Sequence, residues 1–283
     1  MTGKFSRIPK ALRIALIAAG ILLSVLIYSY FETYWLKVKE YEVVSNDIPP
    51  GFDGFTIVFV SDIHHGPYYS LARVEKLAEE INELRPDAII LGGDYVYRGT
   101  EYIIPVFREL SVLRPPNGVY AALGNHDHWE DAGLTRRCIR QSGFFLCENN
   151  CRQLHKGNDS IAVSAVGDLW EGEPRLEDAL RGVPQHGFCI FITHNPDFLE
   201  SLNDSRIDLT LSGHTHGGQI TLFGLWAPVV PSDYGQKYRY GLTRKGSTAS
   251  IITSGTGTIS PPLRLFCRPE IVKITLKSLK AGN

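Results

Sequence analysis

The sequence predicts an α/β fold in which two β-sheets pack face to face with helices outside, led by an N-terminal apolar helix. Three observations predict it. In the first half, strand-like and helix-like runs alternate about every 30 residues, the size of one βαβ unit. The second half is strand-like almost throughout, and an uncharged apolar run lies near the N-terminus. With 283 residues, 43% of them hydrophobic, the chain can bury a full core, which excludes a disordered or fibrous protein.

Residues 14 to 31, IALIAAGILLSVLIYSYF, are 18 uncharged and mostly apolar positions. At about 1.5 Å per residue they nearly cross a hydrocarbon core, and the TYWL beyond Glu32 completes the length. Tyr28, Tyr30, Tyr34 and Trp35 suit an interfacial belt. No small-x-small cleavage site follows, so an uncleaved single-pass anchor over residues 1 to 36 is expected rather than a signal peptide. Lys4, Arg7, Lys10 and Arg13 precede the run, whereas Lys37 and Lys39 behind it are interspersed with Glu32 and Glu40. The positive-inside rule then puts the N-terminus in the cytoplasm and the main domain outside it. A helix lying on the membrane without crossing is the alternative.

A linker is expected over residues 37 to 52, on the strength of the Pro-, Gly- and Asp-rich SNDIPPGFDG at 45 to 54. The main domain then covers 53 to 277, with a tail at 278 to 283. Its first strand is FTIVFVSD. Leu71, Val74, Leu77, Ile81 and Leu84 follow at helical spacing, with Ser70 as the N-cap. DAIILGGD is the second strand, EYIIPVFRELSVL a second helix with Pro105 in its first turns, and GVYAALGNHD the third strand. DSIAVSAVGDL, FCIFITHNPD, IDLTLSGHTHGGQITLF, QKYRYGLTR, TASIITS and EIVKITL read as the strands of a second, mixed sheet.

The charge balance, 29 basic against 30 acidic residues, offers no basic stripe for phosphate backbones, so no nucleic-acid partner is expected. Five cysteines with no CxxC leave free thiols and a Cys147–Cys151 bridge both open. Oligomeric state has no signature.

Each strand of the first half ends in polar residues: Asp62 and His64, then Asp94, then Asn125, His126 and Asp127. In open parallel sheets the ligand crevice lies outside the carboxyl ends of the strands, so these clusters should converge. His194, His214 and His216 end strands of the second half. Imidazoles mixed with carboxylates suit Mn, Fe or Zn rather than Ca or Mg, and the seven groups exceed what one tetrahedral ion needs. Two ions roughly 3.5 to 4 Å apart can clamp the attacking and leaving oxygens of an in-line displacement at phosphorus. Asp94, alone at its strand end, is the natural bridge. In an extended chain His214 and His216 project to one side, each able to serve a different ion, while Gly213, Gly217 and Gly218 permit close backbone approach.

SDIHHG, GGDYVY, GNHDHW, THNPD and SGHTHGGQ occur in the order and approximate spacing of the calcineurin-like metallophosphoesterases, which the chain resembles over residues 53 to 277. The resemblance implies a four-layer α/β/β/α sandwich. It implies that Asp62, His64 and His216 hold one metal, that Asp94 bridges, and that Asn125, His194 and His214 hold the second. Manganese is favoured for both ions. His126 would then be a non-ligand that bonds the phosphoryl oxygen or protonates the leaving group, with Asp127 fixing its tautomer.

The apolar N-terminal helix, GHTHGGQI and the tail GTGTISPPLRLFCRPEI resemble a membrane-associated bacterial branch of that family, which includes UDP-2,3-diacylglucosamine pyrophosphatases of lipid A synthesis. A phosphorylated lipid or nucleotide-sugar lipid is the substrate this implies, with the membrane as a partner. UDP-sugars are cytoplasmic, whereas the flanking charges put the domain outside. An extracytoplasmic phosphodiesterase acting on a phospholipid or wall polymer is therefore the alternative. GDYVYRG is similar to the GDYVDRG of protein phosphatases, but Tyr97 replaces their aspartate and GNHD their GNHE, so that substrate class is set aside. Arg98 remains as a phosphate clamp. Arg264 and Arg268, in the proline-rich tail loop, are candidates to bind substrate phosphate or to pair within the loop.

Scattered polar residues at strand ends are the bland explanation of the set, and five ordered motifs make it a poor one. A non-catalytic metal-binding scaffold should have lost ligands, and none is lost here. His65 points away from His64 and suits packing, His128 suits either the pocket or a helix surface, and His155 and His186 suit solvent. Trp226, Tyr234, Tyr238 and Tyr240 either frame the mouth or fill core. Asp168 and Glu171 have no assigned role.

Overall fold

A computed structural model describes residues 9 to 280. Lys4, Arg7 and residues 281 to 283 of the expected tail lie outside the described residues. The domain is built on two six-stranded sheets. The first, in the order β1-β12-β2-β3-β4-β5, contains β1 (Lys37–Ser45), β2 (Thr56–Val60), β3 (Ala88–Leu91), β4 (Val119–Ala121), β5 (Phe145–Leu146) and β12 (Glu270–Ser278). The second runs β10-β11-β9-β8-β7-β6, with β6 (Asn150–Lys156), β7 (Asp159–Ala165), β8 (Cys189–Ile192), β9 (Leu209–Ser212), β10 (Gly241–Lys245) and β11 (Thr248–Ile252). β2 to β5 are parallel, as are β7, β8, β9 and β11.

Strand alternation separates the layers. Ile57, Phe59, Ala88 and Ile90 face inward against Val163, Ile190, Ile192, Leu209 and Leu211 of the other sheet, forming the central core. Their neighbours Val58, Val60, Ile89 and Leu91 face outward. That outer face is covered by α2 (Leu71–Glu83), α3 (Ile103–Leu110) and α4 (Asn125–Gln141). The short α5 (Leu176–Ala179) and a 3₁₀ turn at Pro196–Glu200 cover the second sheet. The expected α/β/β/α order is therefore the observed one.

The expected linker at 37 to 52 is corrected. β1 pairs in parallel with β12 along its whole length, from Lys37 opposite Glu270 to Ser45 opposite Ser278, and Ile48 and Phe52 are fully buried. The domain thus begins at residue 37. β1 is an edge strand with most side chains in water, so it carries Lys and Glu instead of an apolar run. Ser70 precedes α2 without a side-chain cap bond, and all five cysteines are free.

α1 (Lys10–Glu32) has a mean hydropathy of 2.3 over its best window and is exposed along nearly its whole length, a candidate membrane span. Its C-terminal end is fastened to the domain. Glu32, buried, accepts both Phe266 N–H and Cys267 N–H at 2.8 Å, and Arg264 N–H donates to Ser29 O. Arg73 donates to Thr33 O, and Arg268 donates to Trp35 O and Leu36 O. A carboxylate holding two amides, together with backbone bonds to the tail loop, ties the end of α1 to the domain.

Candidate metal centre

The loops after β2, β3 and β4 on one sheet and after β8 and β9 on the other meet across the sheet ends. They bring together Asp62, His64, Asp94, Asn125, His194, His214 and His216, all with at most 5% exposure. Five of these, Asp62, His64, Asp94, His214 and His216, have positive φ between 51° and 67°. Non-glycine residues enter that region at a cost, which marks the loops as shaped for the side chains they present. His214 and His216 do serve different clusters, as expected, but left-handed backbone turns them apart instead of an extended pleat. Gly213 is required beside them, because a Cβ there would collide with Asp62 Oδ2 and Ser61 Oγ.

Asp94 lies between the two groups. Its Oδ2 stands 3.5 Å from His64 Nε2 and 3.2 Å from His194 Nε2, while Oδ1 accepts His126 N–H. On one side, His64 Nε2 and His216 Nε2 face each other at 3.0 Å, with Asp62 Oδ1 at 3.9 and 3.5 Å. On the other, His214 Nδ1 stands 2.9 Å from Asn125 Oδ1. His194 Nδ1 donates to Gly92 O, which aims its Nε2 at Asp94. Asp62 Oδ2, His194 Nε2, His214 Nε2 and His216 Nδ1 are buried without hydrogen-bond partners. Buried polar atoms normally find partners, and a nitrogen–nitrogen approach among crowded acceptors is the arrangement a cation resolves. The residues fit two divalent ions: Asp62, His64 and His216 for one, Asp94, His194 and His214 for the other, with Asn125 Oδ1 beside His214; the His126 ring also lies within ligand reach of His64 and Asp94.

The electrostatics agree. Burial pushes His64 and His214 down to about 3 and His216 well below its ordinary value, leaving three neutral imidazoles. Burial likewise raises Asp62 to about 6, opposed by His194 and reinforced by Asp94. For Asp94 and His194 burial acts against charge on both, but their mutual attraction outweighs it. Asp94 is held well below the carboxylate range and His194 well above the imidazole range. Without metal, a proton on His194 balances Asp94; a divalent ion would take that proton's place.

His126 is half-buried at the mouth. Its ring lies 4.7 Å from His64 and 4.5 Å from Trp129 and makes no protein hydrogen bond among the described residues. Asp127 does not touch it. Both Asp127 oxygens are taken by the N–H groups of Asp94, Tyr95 and Gly124. Burial and Asp94 push its carboxyl up to about 8 against those donors. The expected tautomer-fixing role is corrected: Asp127 caps α4 and holds the Asp94 loop.

Arg264 is also corrected. It is fully buried, and its guanidinium donates to the carbonyls of Gly257, Cys267 and Ser254, so no donor fork remains for a phosphate. It shapes the tail loop behind His216, whose carbonyl accepts Cys267 Sγ–H. Arg268 bonds the end of α1. Arg98 is exposed over the Tyr97 ring at 5.0 Å, at the rim, and makes no salt bridge among the described residues.

His65 is buried with Nδ1 on Tyr69 O, while His155 and His186 are exposed. Tyr238 fills core and Tyr240 bonds Glu270, whereas Trp226 is half exposed. Two further residues, Trp129 and Trp170, stand at the rim. The Trp170 ring lies 4.3 Å from His214, and Trp129 donates from Nε1 to Glu171 at 2.6 Å. Asp168 accepts Trp170 N–H and Glu171 N–H, so the two acidic residues without a role hold the tryptophans. The signal was their position just past the strand-end clusters GNHDH and GDL.

Comparison with known proteins completes the description. A sequence model described as calcineurin-like phosphoesterase matches residues 55 to 218. The chain is 34% identical to the uncharacterized metallophosphoesterase YkuE of Bacillus subtilis, covering 88% of each chain. It is 31% identical to phosphodiesterase YaeI of Escherichia coli, over 87% of this chain and 90% of that one. It is 28% identical to a Danio rerio transmembrane protein with metallophosphoesterase domain, over 85% of this chain and 57% of that one.

Proposed function

This chain belongs to the calcineurin-like phosphoesterase family and is a metal-dependent phosphoester hydrolase; from that premise we propose that it is a membrane-anchored phosphodiesterase or pyrophosphatase whose substrate is a membrane lipid. The observation that carries the two-metal reading is Asp94 Oδ2, facing one imidazole of each ligand group at 3.5 and 3.2 Å. Two divalent ions, for which manganese is favoured, would supply an activated water and neutralise phosphoryl charge when bound.

The chain's own groups do the rest. The His126 backbone is held by its N–H on Asp94, and its unpaired ring lies beside His64 and Asp94, within reach of a phosphoryl group held at the centre. From there it stabilises developing charge and delivers a proton to the leaving oxygen. Arg98 and the two tryptophans frame the entrance, with Arg98 free to pair with a phosphate oxygen outside the centre.

The lipid substrate is supported by α1, an apolar helix fastened by Glu32 beside the loop that contacts His216. Tethering raises the concentration of enzyme at a membrane-resident substrate. UDP-2,3-diacylglucosamine is the sharpest candidate. A second reading is favoured by Lys10 and Arg13 at the N-terminal end of α1, which orient the domain away from the cytoplasm and toward an extracytoplasmic lipid or wall-polymer diester.

Phosphorus NMR of the manganese-loaded full chain in detergent separates these readings. Release of UMP and lipid phosphate by the native chain but not by Asp94→Asn supports the nucleotide-sugar lipid and requires a cytoplasmic domain. Hydrolysis of an aryl phosphodiester alone supports the extracytoplasmic diester. Equal rates in native chain and Asp94→Asn would sink the two-metal reading itself.

A further inference from the structure

Between the metal-ligand turn and residue 231 the chain runs QITLFGLWAPVVP, without a charged side chain. Leu222, Phe223, Leu225, Trp226 and Val229 expose between 50% and 82% of their surface, Leu225 the most. A contiguous exposed apolar set of this kind is rare on a protein that meets only water. It is not a frayed segment. Thr221 and Leu265 are joined by a backbone bond, Leu222 pairs with Trp226, and Arg239 donates to the carbonyls of Gly217, Gly224 and Leu225 from behind.

The position of the set relative to α1 identifies its partner. Phe223 stacks near Phe266 at 5.2 Å, and Phe266 meets Tyr28 of α1 at 5.8 Å. A groove between Leu265, Phe266 and the helix extends along α1 as far as Ile17. Leu265 and Phe266 therefore lie at the level of the apolar helix, not below its end. The loop also walls a cavity of about 220 Å³ that reaches His216, whose other walls include Ile220, Pro228, Ile259 and Pro261.

We propose that residues 222 to 229, together with Phe266, embed in the lipid leaflet that α1 enters, a second membrane contact that opens the cavity beside His216 at the lipid surface. This rests on the reading of α1 as a membrane span. Two fixed apolar contacts set the tilt of the domain, whereas one helix alone would let it roll. An apolar tail lifted from the leaflet then meets the cavity walls while its phosphoester reaches the metal ligands.

The test uses the full chain in lipid nanodiscs. With Cys151→Ser removing the half-buried thiol, a spin label at Leu225→Cys should relax with dissolved oxygen and be shielded from a water-soluble nickel chelate. Independently, lipids brominated on their acyl chains should quench native tryptophan fluorescence more than that of Trp226→Phe. A nickel-accessible label with equal quenching in the two proteins would put the loop in water and overturn the proposal. A label shielded from both reagents would mean that a second copy or another protein covers the loop, which overturns it as well. Neither readout involves turnover, so failure of the hydrolase reading and failure of the loop reading are seen separately.

Discussion

At the centre of the site each candidate ligand is buried and five stand on left-handed backbone, with the carboxylates of Asp62, Asp94 and Asp127 accepting the N–H groups of His214, His126 and Asp94. At the rim, Trp129, Trp170 and Trp226 stand about half exposed, and Arg98 reaches into water. The centre is over-determined: geometry, burial and charge all specify the same few atoms. The rim is determined only by what holds each side chain from behind. On the proposed reading, chemistry resides in the buried centre and substrate choice at the rim, where the fold leaves side chains free.

The sharpest way to break that contrast is Asp94→Asn, which removes charge shared by both ligand groups. Phosphodiesterase turnover should fall by at least about three orders of magnitude, with metal content per chain falling too, as read by steady-state kinetics and elemental analysis. His126→Ala should lower kcat by about two to four orders of magnitude while metal content stays intact. Loss of metal in that variant would make His126 a ligand.

Acid should separate the regions next. Asp62, with its carboxyl raised to about 6, takes up a proton as pH falls through that value, and His194 is already protonated in the metal-free protein. Protons compete with metal at His194 already at neutral pH and at Asp62 only below about pH 6, where affinity for the ion held by Asp62 should fall by about tenfold per unit and recover on raising pH. Titration calorimetry in buffers of different ionisation enthalpy reads the released protons. The smallest effect belongs to the rim. Trp170→Ala should raise KM by about tenfold and change kcat less than threefold, the loss of one aromatic contact.

What the sequence made legible follows the same division. The seven candidate ligands and His126 could be read because metal and phosphoryl chemistry admit few residue types, and strand ends bring them together. β1 could not be read, because an edge strand bearing Lys37, Lys39, Glu40 and Glu42 lacks an apolar pattern. Nor could α4, whose opening NHDHWED is polar and whose cap is Asp127, a residue that also looked catalytic. Between the two readings of Arg264 the sequence could not choose, because it does not tell whether a guanidinium faces water or three carbonyls.

Electron paramagnetic resonance of the manganese-loaded full chain, paired with metal quantification, tests the central claim most directly. Two ions bridged by Asp94 should give two manganese per chain and an exchange-coupled spectrum consistent with a separation of roughly 3.5 to 4 Å, lost in Asp94→Asn. One manganese per chain with an isolated six-line signal would contradict the shared centre.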